Sequence, residues 1–217
     1  MASTHPTTTS QSESITPTFQ TARLTFTPLT QTDAVPIHEL RSAPEVMKWS
    51  RKGRPDASVT ETQQWLDDLL AETQAKAGPS QPGSDGSHPD RRRDVIFAVR
   101  EVAHVGSGPG EDRIVAQAGI MKGISEVTGV ERFEIGYMFV PGVWGKGYAS
   151  EAVRGMVQWW FGLCPEEGRG ETEGIYAIVA KSNLASLRVM EKCGFQLVGE
   201  GVDDHGEELV EFCVKNE

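Results

Sequence analysis

Apolar positions in this chain repeat every second residue over some stretches and every third or fourth over others. Residues 23–29 alternate and predict a first strand. Thr32 can cap a helix, and Pro36 falls in its first turn, where a missing N–H costs least. The segment to Trp49 is expected to be helical in pieces, broken before Pro44. Ser58-Val59-Thr60-Glu61 has the form of a capping box. It opens a helix whose buried stripe is Thr62, Trp65, Leu66, Leu69 and Leu70. Strands over 94–100 and 113–120 flank a Gly-rich turn and predict an antiparallel hairpin. In the strand at 133–140, Phe133, Ile135, Tyr137 and Phe139 share one face, and Glu134, Gly136, Met138 and Val140 the other. From Ala149 the period changes: Ala149, Ala152, Val153, Met156, Val157 and Trp160 form one stripe of a helix that Gly162 ends. A buried strand follows at 175–180. Asn183 then caps a helix to Cys193, and Gly194 is its left-handed stop. Strands at 196–200 and 208–214, joined by a turn at 203–206, finish the chain. The order β-α-α-β-β-β-α-β-α-β-β predicts an α+β fold with a mainly antiparallel sheet.

Composition narrows the picture. The 217 residues are expected to form one domain over 21–217. A disordered tail at 1–20 precedes it, since residues 1–22 hold eleven Ser or Thr and almost no large apolar side chain. Gly, Pro and Ser dominate residues 76–93, which read as a long surface loop, with Arg91-Arg92-Arg93 as its solvated basic edge. A net charge of −10 argues against general nucleic-acid binding. No apolar run approaches the length of a membrane span. Three cysteines, odd in number and without metal-ligand spacing, point to a reduced cytoplasmic chain without a metal.

The candidate chemistry lies where the strand at 133–140 turns into the next helix. Pro141-Gly142 stops the strand, and Gly145-Lys146-Gly147 leads into the helix. Glycines at such a turn let successive N–H groups converge, and the helix N-terminus adds partial positive charge. That is a site for a phosphate or diphosphate.

Three stretches together resemble the GCN5-related N-acetyltransferase (GNAT) superfamily, in its ribosomal-protein-alanine acetyltransferase branch. They are Arg23-Leu24 with Trp49 downstream, the stretch Glu134-Ile135-Gly136-Tyr137 running into Trp144-Gly145-Lys146-Gly147-Tyr148-Ala149-Ser150-Glu151-Ala152, and Asn183 with Ser186 running to Glu191-Lys192-Cys193-Gly194-Phe195. The resemblance covers about residues 20–215. It implies a mixed, mainly antiparallel sheet of about seven strands with a parallel splayed pair, 133–140 and 175–180, and about four helices. It implies acetyl-CoA as cosubstrate, lying in the splay. Backbone groups of Met138, Phe139 and Val140 are expected to hold the pantetheine arm. The N–H groups of Gly145, Lys146, Gly147, Tyr148, Ala149 and Ser150 are expected to hold the diphosphate, and Asn183 to cap its helix and touch pantetheine or product.

The activity so implied is direct acetyl transfer to a primary amine, in a small molecule or at a protein N-terminus, by a monomer or homodimer. A non-catalytic acyl-CoA-binding module is the alternative. Amine acetylation needs a base for one ammonium proton, a donor to the developing oxyanion and a hydrogen bond to the leaving thiolate. Glu134 is the leading base and Tyr137 an alternative relay, although its face reads as core. The wider superfamily carries Tyr as thiol donor where this chain has Met190; Ser186, one helical turn from Asn183, is the replacement the branch suggests. Trp144 departs from the broader Gln or Arg and loses a side-chain contact while sparing the backbone cradle. His38, His104 and His205 show no partners in sequence, and Cys193 reads as a small buried residue.

Overall fold

The computed structural model describes residues 18–76, 94–102, 113–163 and 174–216. The expectations for the tail at 1–17, for most of the 76–93 loop and for His104 lie outside the described residues.

Eight strands form one sheet, in the order β1-β2-β3-β4-β5-β6-β8-β7. They are β1 (Phe19–Gln20), β2 (Leu24–Pro28), β3 (Val95–Glu101), β4 (Ile114–Ile124), β5 (Glu131–Phe139), β6 (Ile175–Ala180), β7 (Gln196–Val202) and β8 (Glu208–Val214). Five α-helices accompany them among the described residues: α1 (Ala34–Arg41), α2 (Pro44–Met47), α3 (Val59–Lys76), α4 (Tyr148–Gly162) and α5 (Leu184–Lys192). All pairings are antiparallel except β5 with β6. The sheet thus has one strand more than the seven or so expected. The addition is β1, inside the stretch that composition assigns to the tail. Phe19 anchors it, stacked on Phe26 with ring centroids 4.2 Å apart and facing Trp159 at 5.4 Å.

The helix near residue 32 starts differently from the sequence reading. Thr30, not Thr32, precedes the first turn, and the Asp33 carboxylate accepts from the Thr30 N–H at 2.8 Å. The chain then runs into α1 and breaks before Pro44, as its ring requires.

Helices cover both faces of the sheet. Ala34, Ile37 and Leu66 from α1 and α3 pack on Ile96, Ala98 and Ile114. On the other face Met156 and Trp160 of α4 and Met190 of α5 join the larger core with Phe133, Ile135 and Phe139. The Phe133 and Trp160 rings stand 4.6 Å apart. The α1–α3 side is braced by a buried polar knot. Arg41 Nε donates to Asp56 Oδ2 at 2.7 Å, Thr62 Oγ1 donates to the same oxygen at 2.8 Å, and Lys52 pairs with Asp56 as well. Arg41 also lies over the Trp65 ring, 3.7 Å from its centroid. Burial pushes the Asp56 carboxyl up, but these hydrogen bonds outweigh it and hold it below the usual range. No helix among the described residues is long and apolar enough to cross a membrane.

Candidate active site

The site begins where β5 and β6 part. The two strands share one registered pair, Glu134 with Tyr176. Beyond it β5 remains paired with β4 as far as Phe139, while β6 continues only against β8. One edge of β5 is therefore left open toward β6. The Val140 N–H donates to Val115 O at 2.9 Å. Alternation along a pleated strand then turns the N–H groups of Tyr137 and Phe139 the other way, into the gap. Met138 falls in register with Gln117 and directs its backbone to β4. Both Val140 groups serve the fold, since its carbonyl accepts from Val143 N–H at 3.2 Å. Of the three residues expected to offer backbone groups, Phe139 is the one turned to the gap.

The glycine turn lies at the wide end. Gly145 and Gly147 have φ of 74° and 80°, the left-handed region that glycine enters without steric cost. Gly147 is the N-cap of α4, and no side chain caps that helix. The first intrahelical bond from this end runs from Glu151 N–H to Gly147 O. The N–H groups of Tyr148, Ala149 and Ser150 thus have no helical acceptor. Lys146 is exposed beside them. Trp144 is a brace: its indole N–H donates to Phe139 O at 2.8 Å and ties the turn to the strand end.

The two faces of β5 carry different chemistry. On the α1–α3 face, Glu134 and Gly136 flank an opening in which Gly136 is exposed. Glu134 Oε1 is buried and has no hydrogen-bond partner among the described residues, and the same holds for Gln117 Oε1. Register places Gln117 beside Met138 and Glu134 beside Met121, all on this face. Burial raises the Glu134 pKa; Arg51 and Arg132 pull it down and Glu126 pushes it up, and the net direction is upward. Arg51 and Glu126 meet at 3.4 Å and join the loop after α2 to the β4–β5 hairpin. Beneath that hairpin Arg132 pairs with Glu211, and Ser125 Oγ donates to Glu211 at 2.6 Å. The Arg132 guanidinium lies over the Tyr176 ring at 4.2 Å.

On the opposite face stand Tyr137 and Ser186. The Tyr137 hydroxyl is buried, and burial pushes its pKa up to about 12. The Ser186 hydroxyl on α5 lies beside it and pulls the other way, without forming a well-aligned hydrogen bond. Met190 is fully in the core. Asn183 caps α5, its side-chain oxygen accepting from Ser186 N–H at 3.2 Å. At the other end of α5, Cys193 donates to Ser150 O at 3.4 Å and so links α5 to the start of α4.

Sequence reasoning placed the glycine turn, Glu134, Tyr137, Ser186 and Asn183, and by alternation put Glu134 and Tyr137 on opposite faces of the strand. It overlooked Gln117, Arg51 and the Arg132–Glu211 pair. The strand alternation that puts Arg132 on the face of Glu134 was the available signal. His38 is not isolated: its Nδ1 shares a hydrogen bond of 2.8 Å with Thr62 Oγ1, on the outer side of the polar knot. His205 sits in the β7–β8 turn, away from the gap.

The family description "Acetyltransferase (GNAT) domain" matches residues 23–196. The chain belongs to the acetyltransferase (GNAT) family. GNAT proteins are acetyltransferases whose acyl donor is acetyl-CoA. The GNAT fold is shared with a Bacillus anthracis acetyltransferase, at 22% identity and a TM-score of 0.65, covering 92% of this chain and 98% of that one. A ribosomal-protein-S5-alanine acetyltransferase from Vibrio fischeri aligns at 17% identity and a TM-score of 0.64, covering 93% and 97%. The spermidine N-acetyltransferase of Vibrio cholerae, solved with CoA and spermine, aligns at 16% and 0.59, covering 90% and 96%. These likenesses concern the fold. In sequence, the uncharacterized protein YkkB of Bacillus subtilis (strain 168) is 43% identical over 61 residues, 28% of this chain and about a third of YkkB (32%). The GNAT assignment implies acetyl-CoA as acyl donor, and the open edge of β5 and the glycine turn offer it a place of suitable chemistry. The residues fit it: two left-handed glycines and a helix N-terminus without a side-chain cap leave room for a diphosphate.

Proposed function

We propose that this GNAT protein transfers an acetyl group directly from acetyl-CoA to a primary amine, in a small molecule or at a protein N-terminus. The observation that carries the reading is the parting of β5 and β6 just beyond Glu134, with a glycine turn at the wide end and a partnerless carboxylate oxygen at the narrow one. Acetyl-CoA supplies the activated acetyl thioester. The chain's own groups do the rest. The diphosphate is held by N–H groups of residues 145–150, with Lys146 adding charge, and the pantetheine by the β5 edge at Phe139 and by Asn183.

Glu134 takes one proton from the acceptor's ammonium, directly or through water. Burial raises its pKa and so strengthens it as a base. A primary amine suits this end of the site, because an ammonium supplies the donors that Glu134 Oε1 and Gln117 Oε1 lack. The Tyr137 N–H that faces the gap serves the oxygen on which charge develops. As the new C–N bond forms and the C–S bond breaks, the nitrogen sheds its second proton, which reaches the leaving sulfur by way of the Tyr137 and Ser186 hydroxyls, each passing on one proton as it takes another and ending as it began. Tyr137 is suited to that role: with its pKa near 12 it stays protonated throughout the physiological range. Much of the acceleration is positional, since both reactants are held at one gap.

The test is release of free coenzyme A thiol from acetyl-CoA over a panel of amines and N-terminal peptides. Turnover with at least one primary amine is expected. Tight acetyl-CoA binding with no thiol release for any acceptor would reverse the proposal in favour of a non-catalytic acyl-CoA-binding module.

A further inference from the structure

Glu151 stands in the first turn of α4, next to the N–H groups of the glycine turn. A bare carboxylate there would oppose an incoming diphosphate. This one is enclosed. Arg23 Nε donates to its Oε2 at 2.7 Å, the Arg23 N–H to Oε1 at 2.8 Å, and Thr21 Oγ1 to Oε1 at 2.6 Å. The same guanidinium donates from Nη1 to Lys146 O at 3.0 Å and lies over the Tyr148 ring, 4.2 Å from its centroid. In a planar trans peptide the carbonyl and the following N–H point in opposite directions. Holding Lys146 O against Arg23 therefore turns the Gly147 N–H away from it. Arg23 Nη2 makes no hydrogen bond to the described residues and lies 3.6 Å from where a Cβ on Gly147 would be.

We propose that Arg23 is a positioning residue of the acetyl-CoA site: it orients the Lys146–Gly147 peptide, neutralises Glu151 and leaves Nη2 as an added donor at the rim of the diphosphate cradle. Its place in the chain, before β2 and more than a hundred residues from the turn, hides this from sequence spacing. The Glu151 carboxyl is held below the usual range, because contacts with Thr21 and Arg23 outweigh the cost of its burial. The inference rests on the proposed placement of the diphosphate at residues 145–150.

The experiment compares acetyl-CoA with acetyl-pantetheine, a donor that carries no phosphate, in Arg23→Gln, Arg23→Lys and Gly147→Val enzymes. Loss of a charge-assisted bonding group amounts to a factor of about 10 to 100 in affinity. Arg23→Gln is expected to raise KM for acetyl-CoA by that factor, with kcat at saturating donor and kcat/KM for acetyl-pantetheine changed less than about twofold. Arg23→Lys, which keeps the charge but loses the fork, should fall between. Adding Glu151→Gln to Arg23→Gln should recover part of the loss, since the unmatched carboxylate is gone. An equal loss with both donors, or no change with acetyl-CoA, overturns the proposal. If Arg23→Gln gives no cooperative melting transition, Arg23→Lys decides by the same donor comparison. If Gly147→Val distinguishes the donors and the Arg23 variants do not, only the role of Arg23 fails. If Gly147→Val does not distinguish them either, the diphosphate is held elsewhere and the placement of acetyl-CoA fails with it.

Discussion

The donor end and the acceptor end of this site are built from different materials. At the proposed donor end the groups on offer belong to the backbone: N–H groups from Gly145 to Ser150, two residues with left-handed φ and the free edge of β5. At the proposed acceptor end they are side chains from separate elements. Glu134 comes from β5, Gln117 from β4, Arg51 from the loop after α2 and Glu126 from the hairpin. The backbone end tolerates changes in side-chain identity, provided the glycines stay. On the proposed reading the side-chain end is the one that single substitutions alter, and it sets which amine is taken. Trp144 illustrates the first case: where a wider pattern has Gln or Arg, an indole fills the position and braces the strand end, leaving the N–H groups in place.

The contrast can be broken most severely at Glu134. Glu134→Gln is predicted to lower kcat/KM by about 10²- to 10⁴-fold at pH values below the amine's own pKa. In the parent enzyme the rate should fall as pH drops through a value above the ordinary glutamate range, because the raised pKa is where the base becomes protonated. An unchanged pH–rate profile in the variant removes Glu134 from the role. The same variant tests linkage. A carboxyl raised by burial favours the folded state when protonated, so its contribution falls as pH rises from the unfolded toward the folded pKa. Glu134→Gln should therefore melt at a higher temperature than the parent at pH 7, in differential scanning calorimetry.

Second in size is Asp56, which stabilises the loop behind the acceptor end. Asp56→Ala leaves Arg41 buried and unmatched, at a cost of about 3 kcal/mol. For a domain of this size that is a fall in Tm of roughly 6–12 °C. Because the Asp56 pKa is lowered, its contribution is present above the unfolded pKa and is lost as pH falls through the folded one. The Tm gap between parent and variant should narrow in acid.

Next comes Gly147→Val. Its left-handed φ strains any side chain by about 1–2 kcal/mol, and the added group faces the cradle. KM for acetyl-CoA should rise by about 10-fold or more, while thermal melting stays cooperative and kcat is retained. Smallest is the loss of the thiol-side donors. Tyr137→Phe and Ser186→Ala should each lower kcat by less than about 10-fold, because a thiolate leaves readily and one hydrogen bond is worth about 1 kcal/mol. If they form one relay, the double variant will be no slower than the slower single one in stopped-flow thiol release.

Local signals made much of this molecule legible from its sequence. The alternation at 133–140, the change of period at Ala149 and the Asn183 and Gly194 caps fall where the structure has β5, α4 and α5. Each depends on residues within a few positions of one another. Burial and partner choice across the chain were not legible. Phe19 joins the sheet because Phe26 and Trp159 sandwich its ring, and a short aromatic in a Ser/Thr-rich stretch gives no local sign of that. Arg132 and Glu211 are far apart in sequence and meet only because β8 lies beside β6. The division of Glu134 and Tyr137 between faces followed from alternation. What stands opposite each face did not, since it depends on how helices from distant segments cover the sheet.

The position of β8 also bears on how the protein is made. It follows β7 in the chain, yet it lies between β6 and β7. During synthesis β6 emerges with one of its edges unmatched, and its parallel contact with β5 amounts to a single registered pair. Residues 208–214 must therefore leave the ribosome before β6, which faces β5 across the gap, is paired on its other edge. A nascent chain stopped short of Glu208 is expected to be cut readily by protease, and the finished chain to resist.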